Sequence, residues 1–179
     1  MPKVVLAKTP AARTETSHSD IFMSIKPEYI SSIASRHKNH EYRNYRLPSS
    51  VRRIWFYTSA PISSLHYIAR VSSAKTPGQV PEDGGLGNED FNAGTMGYSF
   101  GYEILALWKL EQPVSLQQAK ARGYLKGPPQ KYCWVPQTVI GAFPLEKQHS
   151  VFATGAEEAP AEKRENTISG FLVNVGSNG

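Results

Sequence analysis

The sequence predicts an α+β fold that is mainly β: a small, partly open β-barrel flanked by two or three short helices. Three observations carry this. Short stretches of aromatic and β-branched residues recur along the chain; 14 Gly and 13 Pro punctuate its 179 residues; and the two segments with clear helical spacing are short. Strands that are short, numerous and separated by turn residues suit a small, partly open barrel.

Residues 1–19 are rich in Thr, Ser, Ala and Pro and have no sustained period, which predicts a disordered leader. Its apolar stretch is too short for a secretory signal, while Arg, Ser and Thr with few acids before Glu15 leave a transit peptide open. "DIFMSI", Asp20 to Ile25, reads as a strand. "KPEYISSIASRH" reads as a helix with Pro27 in its first turn, where a missing N–H costs little, and Tyr29, Ile30, Ile33 and Ala34 as an apolar stripe. Arg52–Ser59 is a strong strand. A second follows Ala60-Pro61 and pairs with it, its apolar face formed by Leu65, Tyr67, Ala69 and Val71. "KTPGQVPEDGGLGNED" is loop by its Pro and Gly content, with a helical turn near "NEDFNAG"; this loop could act as a lid. Tyr98–Pro113 is a long strand bent at Gly101. "SLQQAKARGYL" is a helix with Ser115 and Gln118 at capping-box spacing and Gly123 as its stop. "QKYCWVP" is a further strand. These elements make one domain over 20–145. Residues 146–179 form a flexible tail in which 168–175 could add an edge strand.

Composition narrows the function classes. The formal charge of +5 is compatible with phosphate-bearing partners. Between Asp20 and Ala60 seven Lys or Arg stand against three Asp or Glu, so the basic excess is local. A single cysteine, Cys133, excludes an internal disulfide and a cysteine-based zinc site, and suits a small buried hydrophobe in an intracellular protein, cytoplasmic or nuclear. No apolar run approaches the roughly 20 residues of a membrane span. His37 and His40 lack a third ligand and read as surface histidines, so no metal is expected, and no cofactor either. The glycine-rich "DGGLGNED" lacks the Lys and the following helix of a P-loop.

The informative stretch is "SRHKNHEYRNYRLP", where Glu41 stands between Lys38 and Arg43. On a strand, Glu41 and Arg43 share one face, where a charge-assisted hydrogen bond can fix both, and Tyr42 takes the other. Lys38 reaches the same cleft. Cations there would attract phosphate, and Glu41 could accept from the exocyclic amine of a base. Tyr42, Tyr45, Tyr57, Trp108 and Tyr132 are candidates for stacking on an unpaired base. Trp55, Phe56 and Trp108 suit a core better than a platform, and Arg52 and Arg53 a solvated strand start better than a phosphate clamp.

"MSIKPEY", a short helix, "K-x-x-E-x-R" at Lys38, Glu41 and Arg43, and a strand ending in Tyr57-Thr58-Ser59 together resemble the ASCH domain family of the PUA-like superfamily, related to the EVE and YTH domains. The likeness extends through "GYEILALWKLEQPVSLQQAKARGY" and "PPQKYCWVP", covering about Asp20 to Leu145. The family signature carries Gly where this chain has Arg36. The resemblance implies a PUA-like barrel with a cleft for RNA or a modified or flipped base. It implies Lys26, Lys38, Glu41, Tyr42, Arg43, Tyr57, Thr58, Ser59 and Tyr132 as nucleic-acid-binding residues. Relatives that hydrolyse acetylated cytidine, or act as ribonucleases, imply an enzymatic alternative with Lys38 as base or nucleophile and Glu41 positioning it; the hydrolases carry Thr at the Glu41 position. The expectation is a monomeric binding module for RNA or DNA, with a small amidohydrolase or ribonuclease as rival. A third reading is a protein-interaction domain using its tails.

Overall fold

The computed structural model describes residues 14–154. Of the leader expected over 1–19, residues 1–13 lie outside the described residues, as does the edge strand expected at 168–175. Seven strands form one mixed sheet: β1 (Thr16–Ile25), β2 (His40–Arg43), β3 (Arg53–Thr58), β4 (Ser64–Val71), β5 (Phe100–Ser115), β6 (Cys133–Pro136) and β7 (His149–Ala153). The path runs β2-β5-β4-β3-β1-β6, with β7 also on β5, and the sheet does not close. Four short helices join them: α1 (Pro27–Ala34), α2 (Asn88–Asn92), α3 (Leu116–Ala121) and α4 (Gln137–Ala142). Among the described residues no helix is long and apolar enough to cross a membrane.

β1 and β3 are parallel neighbours, Phe22 opposite Trp55 and Ser24 opposite Tyr57. A parallel pair needs a crossover, and here α1 and β2 supply it. The pair is covered on both faces. Ile21, Met23, Ile54 and Phe56 meet Ile30 and Ile33 of α1 in one core. Phe22, Trp55, Tyr57, Leu65 and Ile68 meet Ala119 of α3 and Val139 of α4 in another. Trp55 and Phe56 are therefore both core, one on each side of the sheet.

Several expectations are corrected by this two-sided burial. β4 has no single apolar face: Ile68 packs into the second core while Ala69 and Val71 pack into the first, and a register shift at Phe56/Tyr57 helps place them. β1 starts at Thr16, four residues before the predicted Asp20, because Thr16 pairs with Pro136 and the Gln137 N–H donates to the Glu15 carbonyl at 2.9 Å. β7 lies in the stretch read as the start of the tail, held by pairing to β5 and by Val151 and Phe152 against the first core. α4 was not foreseen; it follows Pro136 with no side-chain cap to announce it. α3 forms as predicted, with the reciprocal Ser115–Gln118 capping box. Cys133 is exposed rather than buried. Arg53 is half-buried and engaged rather than freely solvated: it makes a two-pronged contact with the buried Asp20 at 2.8 and 3.0 Å, and the Trp55 indole N–H donates to the same carboxylate at 2.9 Å.

Candidate functional site

The cleft forms where the parallel pair ends. Ser24, Ile25 and Lys26 at the end of β1, and Ser59 just past β3, make one wall; Tyr29 of α1 stands above them. β2 supplies the floor with Glu41, Tyr42 and Arg43, joined by Lys38 from the connector before it. Leu86, Gly87, Asp90, Met96 and Tyr98, from the segment around α2, close the far side. The cleft has a volume of about 420 Å³ and opens to solvent. The carboxyl ends of parallel strands are where open sheets leave room for ligands, because the connections there diverge.

The floor is a buried cluster of charges. Lys38 and Glu41 are 5 % and 4 % exposed. Arg43 Nη2 donates to Glu41 Oε1 at 2.8 Å and to the Ser24 carbonyl at 2.8 Å, which fixes the carboxylate and ties β2 to the end of β1. Lys38 Nζ lies 3.8 Å from Glu41 Oε2, too far for a hydrogen bond, and sits 4.5 Å from the centroid of the Tyr42 ring. Burial pushes the Lys38 ammonium below the usual lysine range, Glu41 partly opposes this, and Arg43 adds to it. Glu41 thus presents one oxygen engaged by Arg43 and one able to accept from a ligand.

Lys38 is aimed by backbone geometry. After α1 the chain turns at Arg36, whose φ of 62° is left-handed, and the Lys38 N–H donates to the Ser32 carbonyl at 2.9 Å. This is the position at which the ASCH signature has glycine. Glycine adopts such a φ freely; arginine meets a cost of about 1–2 kcal/mol. Its guanidinium lies 5.2 Å from the Phe152 ring centroid on β7, a contact that offsets part of that.

Tyr42 is a packed part of the floor rather than a stacking platform. One side of its ring meets Phe91 at 4.5 Å between centroids and another meets Lys38, while its hydroxyl donates to Asn88 Oδ1 at 2.7 Å. Burial pushes the phenol above its ordinary range. Gly101, opposite Tyr42 in the sheet, leaves space for this ring: a Cβ there would come within 3.0 Å of it. Asn88 extends the anchor, donating to Asn39 Oδ1 and Asp83 Oδ1, and Asn39 in turn donates to Asp83. The segment read as a loose lid is therefore pinned to β2.

His40 is buried, not a surface residue. Its Nδ1 is 2.7 Å from Asn39 Oδ1 and its Nε2 is 3.2 Å from Lys75 Nζ. An ammonium can only donate, so Nε2 accepts and Nδ1–H donates, which defines a neutral tautomer. Burial, with Lys75 second, lowers its pKa to about 4.

Of the nine residues expected to bind nucleic acid, the structure gathers Lys26, Lys38, Glu41, Tyr42, Arg43 and Ser59 at the cleft. It does not bring in Tyr57 and Thr58, which are buried inside the sheet because β3 is central, with neighbours on both edges and cores on both faces. Nor does it bring in Tyr132, which packs beside Tyr45 and Trp134 against the first core. Trp108 does not line the cleft. The sequence reading missed Leu86, Met96 and Tyr98, which carry no periodic signal in a turn-rich stretch. It placed Tyr29 in an apolar stripe with Ile30 and Ile33, which are buried, whereas Tyr29 is 42 % exposed at the cleft. A second, more polar cavity of about 360 Å³, lined by Arg36, His37, Asn39, Asp83 and Glu103 among others, shares Lys38 with the first.

No family model and no curated protein matches the chain. Solved structures similar to it include ASCH proteins. The ASCH protein of Zymomonas mobilis aligns over 71 % of this chain and 97 % of its own, with 22 % identity and a TM-score of 0.49. Two single-substitution variants of that protein align over 72 % and 70 % of this chain and 99 % of their own, at 21 % and 22 % identity with TM-scores of 0.48 and 0.49.

Proposed function

We propose that the chain is a binding module that takes an unpaired base of RNA or DNA into the cleft over β2. The observation that supports this most is the buried Lys38–Glu41–Arg43 cluster at the floor of an open cavity of about 420 Å³. That size is in the range of small-ligand sites. Burying Lys38 and Glu41 beside the half-buried Arg43 is costly and is compensated only in part by their mutual contacts. A ligand edge with both donors and acceptors would complete them. Glu41 Oε2 would accept from a base amine or imide, the Lys38 ammonium would donate to a carbonyl or ring nitrogen, and Lys26 at the exposed lip would meet the phosphate backbone. In this reading the protein sits where nucleic acid does, cytoplasm or nucleus, and binds as a monomer.

Fluorescence anisotropy with modified and unmodified single- and double-stranded oligonucleotides at two salt concentrations tests this. The expected result is binding to single strands that weakens as salt rises. It should fall by about ten-fold or more in Lys38→Ala and in Arg43→Ala. Unchanged affinity in both variants, with circular dichroism showing them folded, would remove the cleft from consideration.

The depressed pKa of Lys38 favours a second reading, a small amidohydrolase of acylated cytidine-type nucleosides. A deprotonated Lys38 would act as base or nucleophile with Glu41 positioning it. Chromatography of acetylated cytidine after incubation with concentrated protein tests this reading; absence of the deacylated product rules it out.

A further inference from the structure

Resting on the base-binding reading above, we infer that Tyr29 and Tyr98 are the two jaws that grip the base, recognising its flat faces while the floor recognises its edge. Among the described residues four large hydrophobic side chains are conspicuously exposed: Tyr29 at 42 %, Ile62 at 46 %, Leu86 at 40 % and Tyr98 at 40 %. Three of the four line this one cleft. They come from separate parts of the chain, Tyr29 from α1 and Leu86 and Tyr98 from the segment around α2, so local sequence does not account for their convergence.

Exposed apolar groups gathered around a concave site mark a surface that is covered when occupied. Their setting selects the occupant. The floor is charged and able to hydrogen-bond, so a wholly apolar side chain of a partner protein would bury Lys38 and Glu41 without satisfying them. The lip carries the exposed cation Lys26. An occupant with flat apolar faces, a polar edge and an attached anion meets all three, and an unpaired nucleotide within a single strand has that chemistry. The same layout excludes a paired base, whose edge is used and whose faces are stacked.

The anchoring supports stacking by the jaws rather than by Tyr42. Tyr42 is buried, packed by Phe91 and by Lys38 at 4.5 Å, whereas Tyr29 meets Lys38 more distantly, 5.6 Å from its ring centroid, and stays largely exposed. The far jaw is carried by a segment that is pinned through Asn88 to Asn39 and Tyr42, so its position is set before ligand arrives.

Binding of a labelled single-stranded oligonucleotide to the full chain, and of an abasic strand of equal length, tests the inference. Tyr29→Ala and Tyr98→Ala should each weaken the base-bearing strand by about ten-fold and the abasic strand by less than about two-fold, whereas Tyr29→Phe and Tyr98→Phe should bind as the parent does. Both positions are exposed, so thermal melting should be unchanged. Full affinity of either Ala variant for the base-bearing strand overturns the two-jaw inference and leaves the charged floor as the site. Equal affinity of the parent protein for the two strands also overturns it. Failure of the parent to bind either strand overturns the base-binding reading itself, and the inference with it.

Discussion

Lys38 and Glu41 lie side by side and present opposite energetic problems. Glu41 holds a short bond to Arg43, whereas Lys38 has given up water for a 3.8 Å contact and an aromatic face. Removing one member of a buried charge cluster harms stability when it strands the rest, and helps when the member was itself poorly paired. Lys38→Met is therefore expected to be neutral or to stabilise by about 1 kcal/mol, since Glu41 keeps Arg43. Glu41→Gln leaves two neighbouring cations without their carboxylate and should destabilise by about 3 kcal/mol. Urea denaturation of the two variants checks this; equal losses in both would show that Lys38 is better compensated than its geometry suggests. The Lys-x-x-Glu-x-Arg spacing was legible because it is short and local. That Tyr57 and Thr58 would be sealed inside the sheet was not, since strand identity does not tell which strands become central. The same limit applied to His40, whose ring meets Lys75 from 35 residues further along the chain.

At the scale of elements, the pairing of β2 with β5 is built around Tyr42 and Gly101. The sequence suggested a bend at Gly101; the structure gives the glycine a different duty, leaving room for an aromatic ring across the ladder. That ring cannot move aside, because its hydroxyl is bonded to Asn88 and its face packs on Phe91. Gly101→Ala should therefore cost about 1–3 kcal/mol by overpacking, although alanine is ordinarily no worse than glycine in a strand. Differential scanning calorimetry would register it, and Gly101→Ala combined with Tyr42→Leu should recover much of the loss. The helices illustrate which elements announce themselves. α3 declares both ends through Ser115, Gln118 and Gly123, whereas α4 starts from Pro136 without a capping side chain and owes its existence to Val139 entering the second core. β7, half-exposed and five residues long, is likewise made by its partner strand.

For the molecule as a whole, the neutral His40 at the junction of β2, β5 and the α2 segment makes stability depend on pH. Its pKa is about 4 in the folded state and 6.5 as the ordinary value. Between these the unfolded chain binds the proton and the folded chain does not. The contribution is fully present above about pH 6.5, is lost progressively as pH falls toward 4, and changes no further below that. The loss is on the order of 2 kcal/mol once solvent screening near the cleft is allowed for. His66, lowered by burial and by Lys109, acts in the same direction. Chemical denaturation at pH 7, 5.5 and 4 should show the decline, with a shallower slope in His40→Gln; an identical slope would place the acid sensitivity elsewhere.

The position of β1 has a consequence for how the chain acquires its structure. Among the described residues β1 is the first strand in sequence, yet it lies inside the sheet, flanked by β3 on one side and by β6, more than a hundred residues later, on the other. On the ribosome it must wait, half-paired, until Cys133–Pro136 has emerged. Long-range pairing of this kind slows folding and leaves a strand edge open in the meantime. Deleting β1 would remove the strand that joins β6 to the rest of the sheet and uncover the β3 edge to other copies of the chain. The N-terminal stretch that the sequence presents as a leader thus runs directly into the strand on which completion of the sheet depends.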